Sequence, residues 1–349
     1  MKKALSLIIF YTLLLQGCAD TVVSLTDNKT LSGMGSSFPT PFYNALFAQY
    51  QKASGITIIN NGADSESGIR CLQDKTIDFV ETRAILSEQY LEEFQSEIIS
   101  IPICLGAIVL AYNVPRVSNL KLNASLISDI YLQNITHWND PAICAVNPGV
   151  NLPALKITVI HRSDESGSSY IFSDYLYKTD AKWREKMGKG RSLNWQAKLG
   201  VNGNIPVCTT IRQKEGSIGY IGTEYASMFG LSTALIRNAS GNYIKANSGS
   251  IRAAAETDYS DDMRIIITNS PNKDAYPLSC YSWFLVHKNQ AKAHRSEKKH
   301  KALKDFLLFS IGSEQQKLAG AMSYVPLPEV IAERAKKQIE SMEWNNNEK

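Results

Sequence analysis

The sequence predicts an α/β protein. Apolar runs with the length of a strand alternate with segments in which apolar residues recur at helical spacing. A chain of 349 residues normally divides into more than one compact unit, and no internal repeat or low-complexity tract interrupts it. Alternation of this kind favours largely parallel sheets covered by helices.

The elements can be justified in chain order. Phe42, Ala45, Leu46 and Tyr50 lie near helical spacing, and the segment ends at Gly55, a residue suited to a helix C-terminus. This pattern predicts a helix over 42–54. The remaining predicted elements are strand 56–59, helix 67–75, strand 77–80, an apolar run over 98–112, strand 157–161, helix 169–177, strands 217–221, 265–268 and 283–287, and helix 302–309.

The first 18 residues predict an export signal. Lys2 and Lys3 precede an apolar run that ends in the letters LQGC, and these resemble the lipobox of bacterial lipoproteins. We expect cleavage before Cys18 and acylation of that cysteine; ordinary signal cleavage nearby is the alternative. Residues 19–26 predict a polar tether. The folded part is therefore expected on the periplasmic or cell-surface side, with a lipid as its only membrane contact.

The charge balance argues against a nucleic-acid partner. The formal net charge is +4, and it falls by two when Lys2 and Lys3 leave with the signal. The run 288–301 is rich in Lys, Arg and His, but a solvated loop and helix face explain it. Its histidines lack metal-ligand spacing, so no metal site is predicted.

The cysteine pattern leaves the pairing open. Five cysteines follow Cys18, no CxxC occurs, and an odd number leaves at least one unpaired in a monomer. Apolar neighbours indicate that most are small core residues. They are Cys71, Cys104, Cys144, Cys208 and Cys280.

Three segments share one design for holding an anion. In each, a strand-like run leads to small hydroxyl or glycine residues and then to a helix start; they are 33–41 (GMGSSFPTP), 62–68 (GADSESG) and 162–169 (RSDESGSS). The first N–H groups of a helix lack intrahelical partners, and the helix dipole favours negative charge there. For any one segment, simple helix capping is the competing interpretation.

The third segment adds a full positive charge. The planar guanidinium of Arg162 can donate two parallel hydrogen bonds to a tetrahedral oxyanion. Asp164 can hold that guanidinium in place from behind.

These segments resemble the periplasmic phosphate-binding protein family that feeds the high-affinity bacterial phosphate ABC importer. Residues 33–41 resemble its first anion loop, 62–70 its second, and RSDESGSSYIFSDYL at 162–176 its third and most specific. The resemblance extends over roughly 33–331. It implies the type II periplasmic-binding-protein fold, with two α/β lobes joined by two hinge strands: 27–110 with 280–349, and 111–279.

The resemblance also implies the ligand contacts and partners. The implied phosphate contacts are Ser37, the backbone of Phe38, Ser65, Arg162, Ser166, Gly167 and Ser168. Asp164 steadies Arg162. No cofactor and no catalytic residue is implied, and the implied partners of a monomeric chain are inorganic phosphate and ABC permease subunits.

Arg83 departs from the family pattern. The family has an aspartate at this position, which accepts a hydrogen bond from a protonated phosphate oxygen and so rejects sulfate. Each unit charge at ~4 Å is worth up to ~4 kcal/mol at an effective dielectric constant of about 20, which is enough to reverse selectivity. Phosphate stays compatible if Arg83 pairs with Glu81 or Asp64, or if Glu81, two residues back on the same strand face, is the acceptor.

We therefore expect an extracytoplasmic solute-binding protein that captures inorganic phosphate for an ABC importer by lobe closure. Arg83 raises two alternatives: a binder of sulfate or another oxyanion, and a degenerate surface lipoprotein. An enzyme alternative is a phosphatase or esterase that uses Ser37 or Ser166. It is disfavoured because the sequence has no GxSxG, HExxH or Walker motif, and we expect no histidine to act as a base for these serines.

Overall fold

The computed structural model describes residues 28–35, 39–62, 65–86, 88–94, 96–256 and 263–345. The strands are β1 (Thr30–Gly35), β2 (Thr57–Gly62), β3 (Phe79–Thr82), β4 (Ile98–Asn113), β5 (Lys121–Leu122), β6 (Thr158–Arg162), β7 (Leu199–Val201), β8 (Ser217–Gly222), β9 (Ser232–Thr233), β10 (Leu235–Arg237), β11 (Tyr243–Ile244) and β12 (Ser279–His287).

Helices separate most of these strands. They are α1 (Thr40–Ser54), α2 (Ser65–Gln73), α3 (Glu88–Glu92), α4 (Ala124–Tyr131), α5 (Pro141–Val146), α6 (Gly167–Thr179), α7 (Ala181–Lys186), α8 (Asn204–Gln213), α9 (Thr223–Met228), α10 (Ser248–Ala254), α11 (Glu297–Ser310), α12 (Ser313–Ala321) and α13 (Glu329–Glu340). Within the described ranges, none has the length and apolar character needed to cross a membrane.

One mixed sheet organises the chain. Its strand order is β2-β1-β3-β12-β4-β8-β6-β7, with β9 also paired to β4, and β11-β10-β5 form a smaller sheet. The prediction of an α/β class is confirmed. The prediction of largely parallel sheets holds for β1 to β3 and for β6 to β8, but β4 and β12 are antiparallel to their neighbours. Apolar patterning predicts a buried strand but not its direction.

The longest strand, β4, is shared by two groups of strands. Its residues 98–107 pair with β12, and residues 108–113 pair with β8. Most of its side chains are buried, which explains why its sequence is an almost continuous apolar run. The predicted lobe boundaries near 110 and 280 stay a prediction.

Aromatic packing fixes α1 and α11 against the sheet. Phe79 of β3 lies 4.9 Å from Phe284 and 5.5 Å from Phe306, measured between ring centroids. Tyr43 of α1 lies 4.8 Å from Phe284. Fully burying a side chain of this size contributes about 1.5–3 kcal/mol, so these rings account for much of the stability of this region.

The predicted strand at 265–268 is wrong. Residues 263–267 have no regular secondary structure. Ile267 and Thr268 are nevertheless buried, and the Thr268 hydroxyl bonds to the carboxylate of Asp174. The alternation of apolar residues is thus explained by side-chain burial without strand pairing.

The prediction that 288–301 is a solvated basic face is wrong at two positions. Arg295 and Lys299 are buried and both contact the carboxylate of Asp78, at 2.5 Å and 3.1 Å respectively. Asp78 also accepts hydrogen bonds from the N–H and hydroxyl of Ser32. This buried group joins the start of α11 to β1 and to the residue that precedes β3.

The five described cysteines are free thiols. Cys104, Cys208 and Cys280 are buried, as the sequence predicts. Cys71 is half-buried and Cys144, in the short helix α5, is exposed, so three of the five agree with the prediction that most are core residues.

Candidate anion-binding site

The three segments singled out by the sequence follow the carboxyl ends of strands. β1 ends at Gly35, β2 at Gly62 and β6 at Arg162. β1, β2 and β3 are mutually parallel, so the loops that follow them lie at one edge of the sheet. Ligand sites of α/β sheets occur at this edge.

Two contacts place the third segment beside Arg83 and beside the second segment. A Cβ atom built on Gly167 would lie 3.2 Å from the Cβ of Arg83, which directly follows β3. Glu66, in the first turn of α2, pairs with Arg191, whose carbonyl oxygen accepts a hydrogen bond from the N–H of Ser166 at 3.0 Å. The starts of α2 and α6 therefore lie near each other.

Arg162 is buried and its guanidinium has a fixed orientation. Nε donates to Oδ1 of Asp164 at 2.6 Å, Nη2 donates to Oδ2 of the same carboxylate, and Nη1 donates to Oδ1 of Asn204 at 3.2 Å. The backbone N–H of Arg162 donates to the Tyr220 hydroxyl at 3.0 Å. Asp164 thus holds Arg162 as the sequence predicts, whereas Asn204 and Tyr220 were missed because they are distant in sequence.

The charge of Asp164 is maintained in this setting. Burial raises its pKa, but the hydrogen bonds and charge of Arg162 outweigh that effect, and the pKa of Asp164 lies below its ordinary value. The carboxylate therefore stays ionised beside Arg162 at neutral pH.

The start of α6 carries the predicted hydroxyl and glycine residues. Ser166 is the N-cap residue, and its hydroxyl oxygen accepts a hydrogen bond from the N–H of Ser168 at 3.0 Å. Ser166 and Ser168 are both buried. Capping and anion binding are compatible, because the Ser166 hydroxyl that accepts from Ser168 still has a proton to donate.

The close packing of β1 against β3 explains why the first segment has a glycine at position 35. Its φ is +150°, and a Cβ there would lie 2.1 Å from the carbonyl oxygen of Glu81 in the neighbouring strand. Only glycine permits this approach of β1 to β3. β1 therefore ends close against β3, within the segment 33–41 that is predicted to be the first anion loop.

Arg83 is buried beside Gly167 at the start of α6. Burial lowers the pKa of Arg83 to about 10, and the guanidinium of Arg162 acts in the same direction. The opposing influences come from Cys280, Glu224 and Tyr324. A positive group thus occupies the position of the family's aspartate.

Glu81 is buried in β3, two residues before Arg83. Burial raises the pKa of Glu81 well above its ordinary value. A bend follows β3, where the Thr82 hydroxyl accepts a hydrogen bond from the N–H of Ala84 at 3.0 Å. The pairing of Arg83 with Glu81, and the role of Glu81 as the acceptor, stay predictions.

Glu224 is the carboxyl group that the sequence analysis missed. It lies in the first turn of α9 with 4% exposure, and among the described residues neither of its carboxyl oxygens has a hydrogen-bond partner. Burial raises its pKa to about 8, and the charge of Arg83 opposes that rise. Sequence carries no signal for it, because its burial depends on how α9 packs against β4.

Several predicted residues cannot be placed. Ser37, Phe38, Asp64 and Cys18 lie outside the described residues. Ser65 begins α2, but its side chain also lies outside the description. Their roles stay predictions.

The described site has hydrogen-bond donors and no serine–base pair. His161 is buried, and its two ring nitrogens lie 3.0 Å from the carbonyl oxygens of Arg162 and Ala197, so it does not face Ser166. Within the described part of the chain, no group of three or more His, Cys, Asp or Glu residues could hold a metal ion. The arrangement suits capture of a tetrahedral oxyanion by a guanidinium and a helix start.

Comparisons with known proteins agree with this arrangement. Residues 22–314 match the family model described as a PBP superfamily domain. The phosphate-binding protein PstS of Xylella fastidiosa (strain 9a5c) is 35% identical over 321 residues, covering 90% of this chain and 85% of the relative.

Solved structures show the same fold. The high-affinity periplasmic phosphate-binding protein PfluDING, bound with phosphate, has a TM-score of 0.70 at 14% identity, covering 88% of this chain and 93% of the other. An ABC-type phosphate transport receptor from Vibrio cholerae has a TM-score of 0.58 at 19% identity, covering 85% and 100%.

Fold and site together define a solute-binding class of protein, in which Arg162 and the start of α6 lie at the carboxyl end of β6. The chain belongs to the PBP superfamily and, within it, to the family of phosphate-binding proteins called PstS.

Proposed function

We propose that this chain captures inorganic phosphate outside the cytoplasmic membrane and delivers it to an ABC permease. Membership of the PstS family supports this proposal, as do the names of the Xylella relative and the Vibrio receptor. The observation that carries it is the buried guanidinium of Arg162, held by Asp164 beside the start of α6.

The proposal includes how the chain works as a transporter component. The two lobes, 27–110 with 280–349 and 111–279, close around the anion while β4 and β12 connect them. Cys18 carries the lipid that keeps the monomeric chain at the membrane. The protein binds and releases the anion without transforming it.

An anion titration tests the proposal. Trp195 stacks on His161, the residue before Arg162, at a ring-centroid distance of 4.9 Å, so tryptophan emission should report binding. We expect saturation by phosphate at one anion per chain and no response to sulfate. Arg162→Gln should abolish the response, whereas Arg184→Gln, on the exposed face of α7, should not.

Selectivity and catalysis need separate controls. If sulfate also saturates the wild type and Arg83→Asp restores phosphate selectivity, the phosphate assignment is wrong and Arg83 sets a broader oxyanion specificity. Turnover of a chromogenic phosphomonoester that Ser166→Ala abolishes would replace binding with hydrolysis.

A further inference from the structure

An ion pair joins the predicted lobes at the mouth of the cleft. Nη1 of Arg191 lies 3.2 Å from Oε2 of Glu66, and each side chain is only 12% exposed. Oε1 of Glu66 accepts a hydrogen bond from the hydroxyl of Tyr90 at 2.8 Å, and the guanidinium of Arg191 lies 5.8 Å from the centroid of the Tyr90 ring. Glu66 therefore has partners on both oxygens.

Shielding from solvent distinguishes this pair from its neighbour. Arg70 and Glu165 also face each other across the cleft at 3.8 Å, but their side chains are 64% and 43% exposed. Exposed pairs are screened by water and contribute little, whereas loss of one partner of a shielded pair leaves an uncompensated charge. The Glu66–Arg191 pair is thus the stronger of the two.

The pair also connects the predicted second and third anion loops. Glu66 follows Ser65, the predicted ligand of the second loop, in the first turn of α2. The carbonyl oxygen of Arg191 accepts the hydrogen bond from the N–H of Ser166, the N-cap residue of the third loop. A single residue, Arg191, therefore holds the third loop by its backbone and the second by its side chain.

The location of the Glu66–Arg191 pair fits a contact that forms only when the two predicted lobes close. Glu66 and Arg191 lie at the edge of an open cavity of 920 Å³, which solvent can enter. Separation of α2 from the loop that carries Arg191 would break the pair.

We propose that Arg191 is a positioning residue whose ion pair with Glu66 acts as a closure latch. The latch holds the starts of α2 and α6 together and slows release of the anion. This inference rests on the proposed function, because the released anion is taken to be phosphate. In this proposal, Arg191 and Glu66 determine how long the anion stays bound and do not determine which anion binds.

A double-mutant cycle followed by stopped-flow tryptophan emission tests the latch. We expect Arg191→Gln and Glu66→Gln each to raise the phosphate dissociation rate about tenfold, because each removes one partner of a shielded ion pair. The double variant should be no worse than either single variant. Association rates should change less than twofold, and Arg191→Lys should recover part of the lifetime.

The control breaks an ion pair that lies within one predicted lobe. Lys182 contacts Asp129 at 2.6 Å, and both belong to 111–279. Lys182→Gln should leave the dissociation rate unchanged. Equal unfolding free energies of the ligand-free latch variants and the wild type would exclude a folding defect as the cause.

Two results would overturn the latch. If the wild type binds phosphate and its dissociation rate is unchanged in Arg191→Gln, the latch is wrong while the proposed function stands. If the wild type does not bind phosphate, the proposed function fails, and the latch is judged on the ligand-free chain by small-angle X-ray scattering. Arg191→Gln should then show a larger radius of gyration than the wild type, and equal radii would reject the latch.

Discussion

At the residue scale, the proposed anion site depends on how Arg162 is held. A free arginine side chain loses conformational freedom when it binds an anion, but this guanidinium is already ordered by Asp164 and Asn204. Preorganisation of this kind leaves more of the interaction energy available for binding. The support behind Arg162 should therefore matter almost as much as the arginine itself.

Asp164→Asn tests this support. Asparagine keeps the shape but removes the charge and one acceptor, so Arg162 loses its bidentate partner. We expect the phosphate affinity to fall about tenfold, measured by calorimetric titration. Asp129→Asn, which removes a carboxylate from a surface pair with Lys182, is the matched control and should bind like the wild type. An unchanged affinity in Asp164→Asn would show that Arg162 does not need its partner.

Glu224 should make stability depend on pH. Its folded pKa is raised from 4.5 to about 8, so its contribution to stability is fully present below about pH 4.5 and is lost as the pH rises through about 8. Glu224→Gln, of similar size and without charge, should be more stable than the wild type at pH 8 and similar at pH 5. Denaturant unfolding at both pH values measures this. Parallel pH profiles would contradict the assignment.

At the element scale, the proposed site is formed by helix starts that follow strands. The sequence patterns predicted α1, α2 and α6 within two residues at nearly every boundary, because caps and apolar spacing are local signals. They missed α8, α9 and α13, and with them Asn204 and Glu224. The positions of those helices depend on packing against β4, β6 and β8, which no local pattern describes.

Gly167→Ala tests the close approach of α6 to Arg83. The added methyl group would lie 3.2 Å from the Cβ of Arg83, a contact tighter than ordinary van der Waals packing. We expect weaker phosphate binding with little loss of helix stability, because alanine is a good helix former. Gly320→Ala, in α12 with its closest contact at 3.6 Å, is the control and should bind normally. If Gly167→Ala and Gly320→Ala bind phosphate with equal affinity, α6 and Arg83 can move apart without weakening phosphate binding.

Asp78→Asn tests the buried group that joins α11 to β1. Arg295 and Lys299 would lose their common carboxylate in a site with 1% side-chain exposure. Removing one partner of a buried ion pair typically costs about 3–5 kcal/mol, so we expect a loss of that order in the free energy of unfolding. Chemical denaturation provides the measurement. A loss below about 1 kcal/mol, the value of an exposed pair, would contradict the buried arrangement.

At the scale of the whole molecule, the sequence predicted the fold class better than the order and direction of the strands in the sheet. The α/β class and the pairing of Arg162 with Asp164 follow from local patterns and from the family resemblance. The antiparallel insertion of β4 and β12 does not, because strand direction is set by connections between distant segments. The pairing of Arg191 was not predicted for the same reason, because its partner Glu66 is distant in sequence and lies in the other predicted lobe.

Equilibrium dialysis against labelled phosphate in a large excess of sulfate tests the central claim most directly. The wild type should retain one phosphate per chain under these conditions, and Arg162→Gln should retain none. A wild type that retains no phosphate, or that exchanges it for sulfate, would contradict the account.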